Sequence, residues 1–346
     1  MLLVFVVSVR KREGMESRVN ITISVVNDLK IRSRKENEIL GVCPVCGCND
    51  ANFNLSKLVW RCWHCVAKGA IMTEKGYEVR EIEQPKFDIP EIRKIYSSLA
   101  NKYHNNLFSE AINYLKGRGL TDDTINKFKL GFCGDDFYDE YTNKNAEDSG
   151  VIYQNYPILY RRVVIPYTYK DEVVDLRGRI LDSVYSYKEG TPSYISLSGS
   201  HESRGANFLF NHDILDKENT VIITEGEFKA IVANQYGFPV VATPGIFGWN
   251  KKWSDRFKDK EVILAADNDK MSGLRSPAYL MAKMLVKDIP QLKVAVLYKT
   301  SKQDKVDIDS IIINKGIKAF ENSIKGAMDT MKWLHLEERK GYGRRK

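Results

Sequence analysis

Apolar residues follow three different rhythms along this chain. From Ile92 to about Phe132 they recur at helical spacing through IYSSLANKYHNNLFSEAINYLKGRGL and again in DDTINKFKLGF, with Thr121 ahead of Asp122 and Asp123 as a helix start. Between residues 158 and 182 the period changes. ILYRRVVIPYTYKDEVVDLRGRIL alternates apolar with polar or basic residues around a KDE turn, the pattern of a β-hairpin with one wet face. From Thr220 onward strand-like and helix-like runs alternate as TVIITE, FKAIVANQYG, PVVATPG, EVILAAD, SPAYLMAKMLVKD and LKVAVLYK, which predicts a mostly parallel sheet flanked by helices. The tail from Ile317 reads as one amphipathic helix ending in the basic KGYGRRK. Nearer the start, NFNLSKLVWRC alternates like two short strands. The opening MLLVFVVSV is apolar, lacks a basic flank and is far shorter than the roughly 20 residues that span a bilayer. It reads as an edge strand, or as an extension upstream of a start at Met15.

Punctuation divides these elements. Residues 79–92, VREIEQPKFDIPEI, carry two prolines and several charges with little apolar periodicity, and read as a linker. A cysteine-bearing unit occupies 1–78, a basic α+β part 93–218, the α/β part 219–316, and a C-terminal helix with its basic tail 317–346. The 346 residues are 43% hydrophobic, enough for two or three real cores. Lysine and arginine outnumber aspartate and glutamate by 53 to 45, a net +8 that fits a polyanionic partner without requiring one. Six cysteines over this length exclude a secreted disulfide framework and point to a reducing, cytoplasmic setting, the host cytoplasm if the chain is viral. No stretch suggests a membrane partner.

Four of those cysteines form two pairs, CPVC at Cys43 and Cys46 and CWHC at Cys62 and Cys65, spaced C-x2-C-x15-C-x2-C. Two such knuckles present four thiolates to one structural zinc ion, and predict a zinc ribbon whose fold depends on the metal. Cys48 and His64 stand close enough to substitute as ligands, whereas Cys133 lies far off and reads as a core thiol. Phe53, Trp60, Arg61 and Trp63 either stack on and steer single-stranded bases or pack the small core of the ribbon.

Carboxylates gather at the ends of three apolar runs. Glu225 and Glu227 follow TVIIT, Asp267 and Asp269 follow VILAA, and Asp307 and Asp309 in KVDIDSII follow LKVAVLY by a short loop. In an alternating β/α sheet such positions converge on one ligand-binding edge. Crowded carboxylates repel, and a hard divalent cation such as magnesium or manganese is the simplest remedy. Lys229 lies on the helix after Glu225, either facing phosphate or simply lying at the surface.

The order strand, EG, helix, strand, PG, strand, D-x-D, strand, D-x-D resembles the Toprim domain shared by bacterial DnaG-type primases, type IA and II topoisomerases and some nucleases. INYLKGRGLTDDTINKFKLGF is similar to the helical segment of bacterial and phage primases, and RRVVIPYTYKDEVVDLRGRIL to their basic strand pair. PSYISLSGS is similar to the stretch leading into the Toprim part, and the cysteine unit to the zinc domain ahead of the polymerase core. The resemblance spans roughly residues 25 to 316. It departs from the family at Glu227, where an aromatic is common, at Cys46, where many cellular primases use histidine, and in DNDKMSG, which carries one extra residue before Gly273.

The resemblance implies a DNA primase of phage or mobile-element type that makes short RNA primers from ribonucleoside triphosphates on a single-stranded DNA template. Glu225, Asp267 and Asp269 would be catalytic, with Asp267, Asp269, Asp307 and Asp309 holding magnesium or manganese. Arg161, Arg162, Arg177, Arg179 and Arg204 would grip phosphates. Trp60 and Arg61 would meet the template, whose start site the ribbon reads. No G-x-x-x-x-G-K-[ST] occurs in this sequence, so a separate replicative helicase is expected. A Toprim nuclease and a non-catalytic single-strand-binding replication accessory are the rival readings, whereas a topoisomerase would need a large arch domain for its tyrosine.

Overall fold

The structure is a computed structural model. It describes residues 89–135, 149–153, 156–188, 191–197, 208–267, 276–297 and 306–342, and seven strand segments nearer the start. The chain forms two compact units, Met1–Pro85 and Lys86–Lys346. No helix among the described residues is long and apolar enough to cross a membrane.

The first unit is a seven-stranded sheet of β1 (Val4–Ser8), β2 (Asn20–Ser24), β3 (Ser33–Lys35), β4 (Glu38–Gly41), β5 (Ala51–Asn54), β6 (Val59–Cys62) and β7 (Lys68–Thr73), in the order β1-β2-β7-β6-β5-β4-β3. The apolar opening run supplies the edge strand β1, paired antiparallel with β2. NFNLSKLVWRC supplies β5 and β6, which set Phe53 opposite Trp60. Those rings stack at 5.9 Å, and Trp60 is 2% exposed. Its faces are therefore engaged in packing the sheet rather than offered to a base. Cys43, Cys46 and Cys65 lie outside the described residues, as does the side chain of Cys62.

The second unit begins with α1 (Ile89–Asn105), which starts inside the segment read as linker, because Pro90 in a first turn leaves no needed backbone donor unpaired. Next come α2 (Ser109–Gly117) and α3 (Asp122–Lys127), the latter capped by the Thr121 side chain accepting from the Thr124 N–H. An antiparallel sheet follows in the order β13-β12-β11-β8, from β8 (Gly131–Cys133), β11 (Arg162–Tyr169), β12 (Glu172–Ile180) and β13 (Tyr194–Ser196), with β9 (Ile152–Tyr153) and β10 (Tyr156–Pro157) as a small separate pair. Lys170 and Asp171 turn the β11–β12 hairpin with φ of 49° and 64°, as a two-residue turn matched to strand twist requires.

This hairpin has no wet face, in contrast to its sequence pattern. Val164, Val173 and Leu176 pack on Tyr96 and Leu99 of α1, while Val163, Ile165, Tyr167 and Val174 face the core shared with the second sheet. That second sheet has the order β15-β14-β16-β17-β18, from β14 (Thr220–Glu225), β15 (Val240–Thr243), β16 (Glu261–Leu264), β17 (Lys293–Val294) and β18 (Met328–Asp329). Its first four strands run parallel and β18 runs antiparallel to β17.

The short α4 (Ile214–Lys217) leads into β14. On one side of the parallel sheet lie α5 (Glu227–Gln235), α7 (Ile308–Lys315) and α8 (Ile317–Lys325). On the other side lie α6 (Pro277–Leu285), α9 (Thr330–Tyr342) and a 3-10 turn at Lys251–Phe257. Cover on both faces explains why its strands are continuous apolar runs. The tail is two helices rather than one, because Gly326 ends α8 and the chain adds β18 before resuming as α9.

Candidate active site

Glu225 is the last residue of β14, and Gly226 turns the chain directly into α5 with φ of 85°, a conformation strained for any residue with a Cβ. Asp267 follows β16, the neighbouring parallel strand, and both acids are 7% exposed. The Asp267 backbone N–H donates to Glu225 Oε1 at 3.2 Å. Lys229, one turn into α5, donates from Nζ to Glu225 Oε1 at 2.6 Å and to Asp267 Oδ1 at 2.7 Å. Its side chain is 13% exposed, so Lys229 is a member of the acidic site and not a surface lysine. Burial and the Glu225 charge push the Asp267 carboxyl up to about 7, against the pull of Lys229. Burial works against the Lys229 charge, but Glu225 and Asp267 outweigh it and hold the ammonium above the ordinary lysine range.

The third acidic pair opens a helix. Asp307 Oδ1 accepts from the Ser310 N–H at 3.0 Å, and Ser310 Oγ accepts from the Asp307 N–H at 3.0 Å, a reciprocal cap on α7. Asp309, buried in the first turn, accepts through Oδ2 from Arg118 Nη2 at 2.6 Å. Arg118 ends α2 within YLKGRGL and lies 4.5 Å over the Phe228 ring. Burial favours protonation of Asp307, but hydrogen bonds involving Asp309 and Ser310 prevail and hold it at about 2. Asp309 is raised instead, by burial and then by the Asp307 charge. The Lys229 charge acts on both aspartates, so the acidic groups share one electrostatic field.

Glu227 belongs to a different arrangement. It is fully buried, accepts from the Tyr167 hydroxyl at 2.6 Å and pairs with Arg177. Arg177 is therefore bound inside the molecule, with Tyr194 5.3 Å beneath its guanidinium. Arg162 is also turned inward. It is 5% exposed and donates to the Pro192 carbonyl at 3.0 Å. Gly178 leaves it room, since a Cβ there would stand 2.8 Å from Arg162 Cδ. Arg161 is half-exposed beside Asp135 at 3.1 Å, and Arg179 lies 5.1 Å over Tyr194. Arg61 of β6 is half-buried, and burial lowers its guanidinium below the usual arginine range. Asp269 and Arg204 lie outside the described residues.

Glu225 Oε2 and Asp309 Oδ1 are buried without a hydrogen-bond partner among the described residues. Unsatisfied oxygens in an all-carboxylate set fit a hard divalent cation. No three His, Cys, Asp or Glu groups among the described residues enclose a single point, and Lys229 stands between two of the acids. The sequence signals for the two missed cations are the i,i+4 pair in EGEFK and the arginine of RGL.

A family model for the N-terminal domain of the DNA primase catalytic core matches residues 98–211. A DNA primase of Rickettsia bellii is 26% identical over 313 residues, 74% of this chain and 49% of that protein. One of Enterococcus faecalis is 24% identical over 375 residues, 92% of this chain and 58% of that protein. A solved DNA primase domain from Pseudomonas aeruginosa superposes with a TM-score of 0.60 at 21% identity, covering 71% of this chain and 82% of that one. The chain is similar to the DnaG-type primases. Its fold also matches a DnaG catalytic domain solved bound to single-stranded DNA, with a TM-score of 0.56 at 21% identity over 70% of this chain and 82% of that one. The zinc-binding and RNA polymerase domains of the Aquifex aeolicus primase match 87% of this chain and 81% of that one, with a TM-score of 0.53 at 18% identity. The chain spans about half the length of the curated DNA primases it matches, at 49% and 58%.

Proposed function

We propose that this chain is a DNA primase that makes short RNA primers on single-stranded DNA by metal-dependent nucleotidyl transfer. The observation carrying this reading is the set of buried acids Glu225, Asp267 and Asp309, two of them with unsatisfied oxygens, at the carboxyl edge of a parallel sheet inside a DnaG-type core fold. Asp267, Asp269, Asp307 and Asp309 hold a magnesium or manganese ion, which neutralises charge on the reacting phosphate when bound. Glu225 orients that set by accepting the Asp267 N–H and the Lys229 ammonium. Arg161, Arg179 and Arg204 are the arginines available to template or triphosphate phosphates, while Arg162 and Arg177 support the strands that carry them.

The cysteine unit is a zinc ribbon on Cys43, Cys46, Cys62 and Cys65 that reads the template start site. Support comes from the paired spacing and from the breadth of the match to the Aquifex aeolicus chain, which is described as zinc binding and RNA polymerase domains. The primase is of phage or mobile-element type and works with a separate helicase. The boundaries 1–78, 79–92, 93–218, 219–316 and 317–346 give the ribbon, its tether, the basic half of the core, the Toprim half and the tail.

The test is a primer-synthesis assay with single-stranded DNA of mixed sequence, labelled ribonucleoside triphosphates and magnesium or manganese, beside the Asp267→Ala, Asp269→Ala double variant. New short RNA that vanishes in the variant is the expected result. Cutting of the template would establish the nuclease instead, and binding without either reaction would establish the accessory.

A further inference from the structure

The acidic edge already contains a cation. Lys229 Nζ lies 2.6 Å from Glu225 Oε1 and 2.7 Å from Asp267 Oδ1, on a side chain 13% exposed between carboxylates 9% and 10% exposed. A second cation, Arg118, holds Asp309 at 2.6 Å. Four carboxylates of this edge, Glu225, Asp267, Asp307 and Asp309, therefore meet two fixed positive charges among the described residues. Four acids converging without such charges would suit a pair of divalent ions, as in two-metal phosphoryl-transfer sites. Here the gap between the first two acids is filled.

We infer that Lys229 is the resident counter-ion of this edge, taking the position between Glu225 and Asp267 that a divalent cation would otherwise bridge, so that the site binds one divalent ion rather than two. The inference rests on the reading of these acids as metal ligands. The carboxylate oxygens that no cation of the chain occupies are Glu225 Oε2 and Asp309 Oδ1, both buried without a hydrogen-bond partner among the described residues, and these are the ones left for an ion. The geometry that places Lys229 is local and rigid. β14 ends at Glu225, Gly226 turns the chain, and the first turn of α5 brings the Lys229 ammonium back onto the end of the strand, four residues on from Glu225. Asp267 is fixed from the other side by its own N–H on Glu225 at 3.2 Å.

The experiment counts manganese bound to the full chain by electron paramagnetic resonance and calorimetry, with Asp267→Asn as the blank for sites elsewhere. Wild type is expected to bind one Mn2+ at this edge. Lys229→Met, which keeps length and removes charge, is expected to bind two spin-coupled Mn2+ ions, with the first about tenfold tighter or more. Lys229→Gln serves if the methionine variant does not fold. Manganese should also raise the melting temperature of either variant more than that of wild type, since an ion then replaces a lost internal charge. Two coupled ions in wild type, or the same count and affinity in the variants, would overturn the inference. Because the readout is ion binding, a failed primer-synthesis assay would leave this result standing, and an active enzyme with two wild-type ions would overturn only the role of Lys229.

Discussion

Two seams join the parallel sheet to the elements packed on it, and they are built from opposite chemistry. One is aromatic. Phe210 stacks on Phe128 at 5.7 Å and meets the edge of Tyr167 at 5.4 Å, while Tyr169 lies 4.9 Å from Phe208 and 5.3 Å from His212. The other is charged, with Glu227 held by Arg177 and Tyr167, and Asp309 by Arg118. The aromatic seam gains from every ring it removes from water. The charged seam gives up hydration on both sides and holds only while each partner is present. Its place explains its persistence, since Glu227 follows Glu225 by two residues and Asp309 is itself in the acidic set. Charges needed at the edge are kept buried by pairing them with cations from elements far away in the chain.

The largest test of this contrast is Glu227→Ala, which strands Arg177 and should reduce stability by about 3–5 kcal/mol in urea unfolding. Replacing both partners, Glu227→Met with Arg177→Leu, should restore most of that loss. A smaller effect follows from His212, which burial and the Arg256 charge push down to about 4. The unfolded chain takes up that proton near 6.5 while the folded chain resists until about 4, so stability is full above about 6.5 and falls as pH drops through that window, by roughly 3 kcal/mol. Subtracting the pH profile of His212→Gln from that of wild type isolates this loss. Smallest of the three, Thr121→Ala removes the cap of α3 and should reduce stability by about 1 kcal/mol, read as a lower melting temperature.

Much of the edge was legible in the sequence, for a physical reason. Apolar runs alternating between strand and helix imply a parallel sheet, and a parallel sheet brings the residues after its strands together, so the residue pattern alone puts Glu225 and Asp267 at one edge. The residues that escaped were those whose partners are remote or whose setting is tertiary. Arg118 finds Asp309 across 191 positions. The hairpin looked half-wet because alternation reports two faces without saying what covers them, and α1 and the parallel sheet cover both. Arg162 and Arg177 looked like phosphate ligands on the same ground. Lys229 was one helical turn from Glu225 in plain view, but only the position of Asp267 shows that it faces inward.

On the proposed function, Glu225, Asp267 and Asp309 serve the chemistry of this edge and Glu227 its structure. Template-directed dinucleotide formation by Asp309→Asn and Glu227→Gln, each compared with wild type at a temperature where both remain folded, tests that division directly. Asp309→Asn should lose synthesis, while Glu227→Gln should retain it despite a lower melting temperature. Full activity in Asp309→Asn, or loss of synthesis in a folded Glu227→Gln, would contradict it.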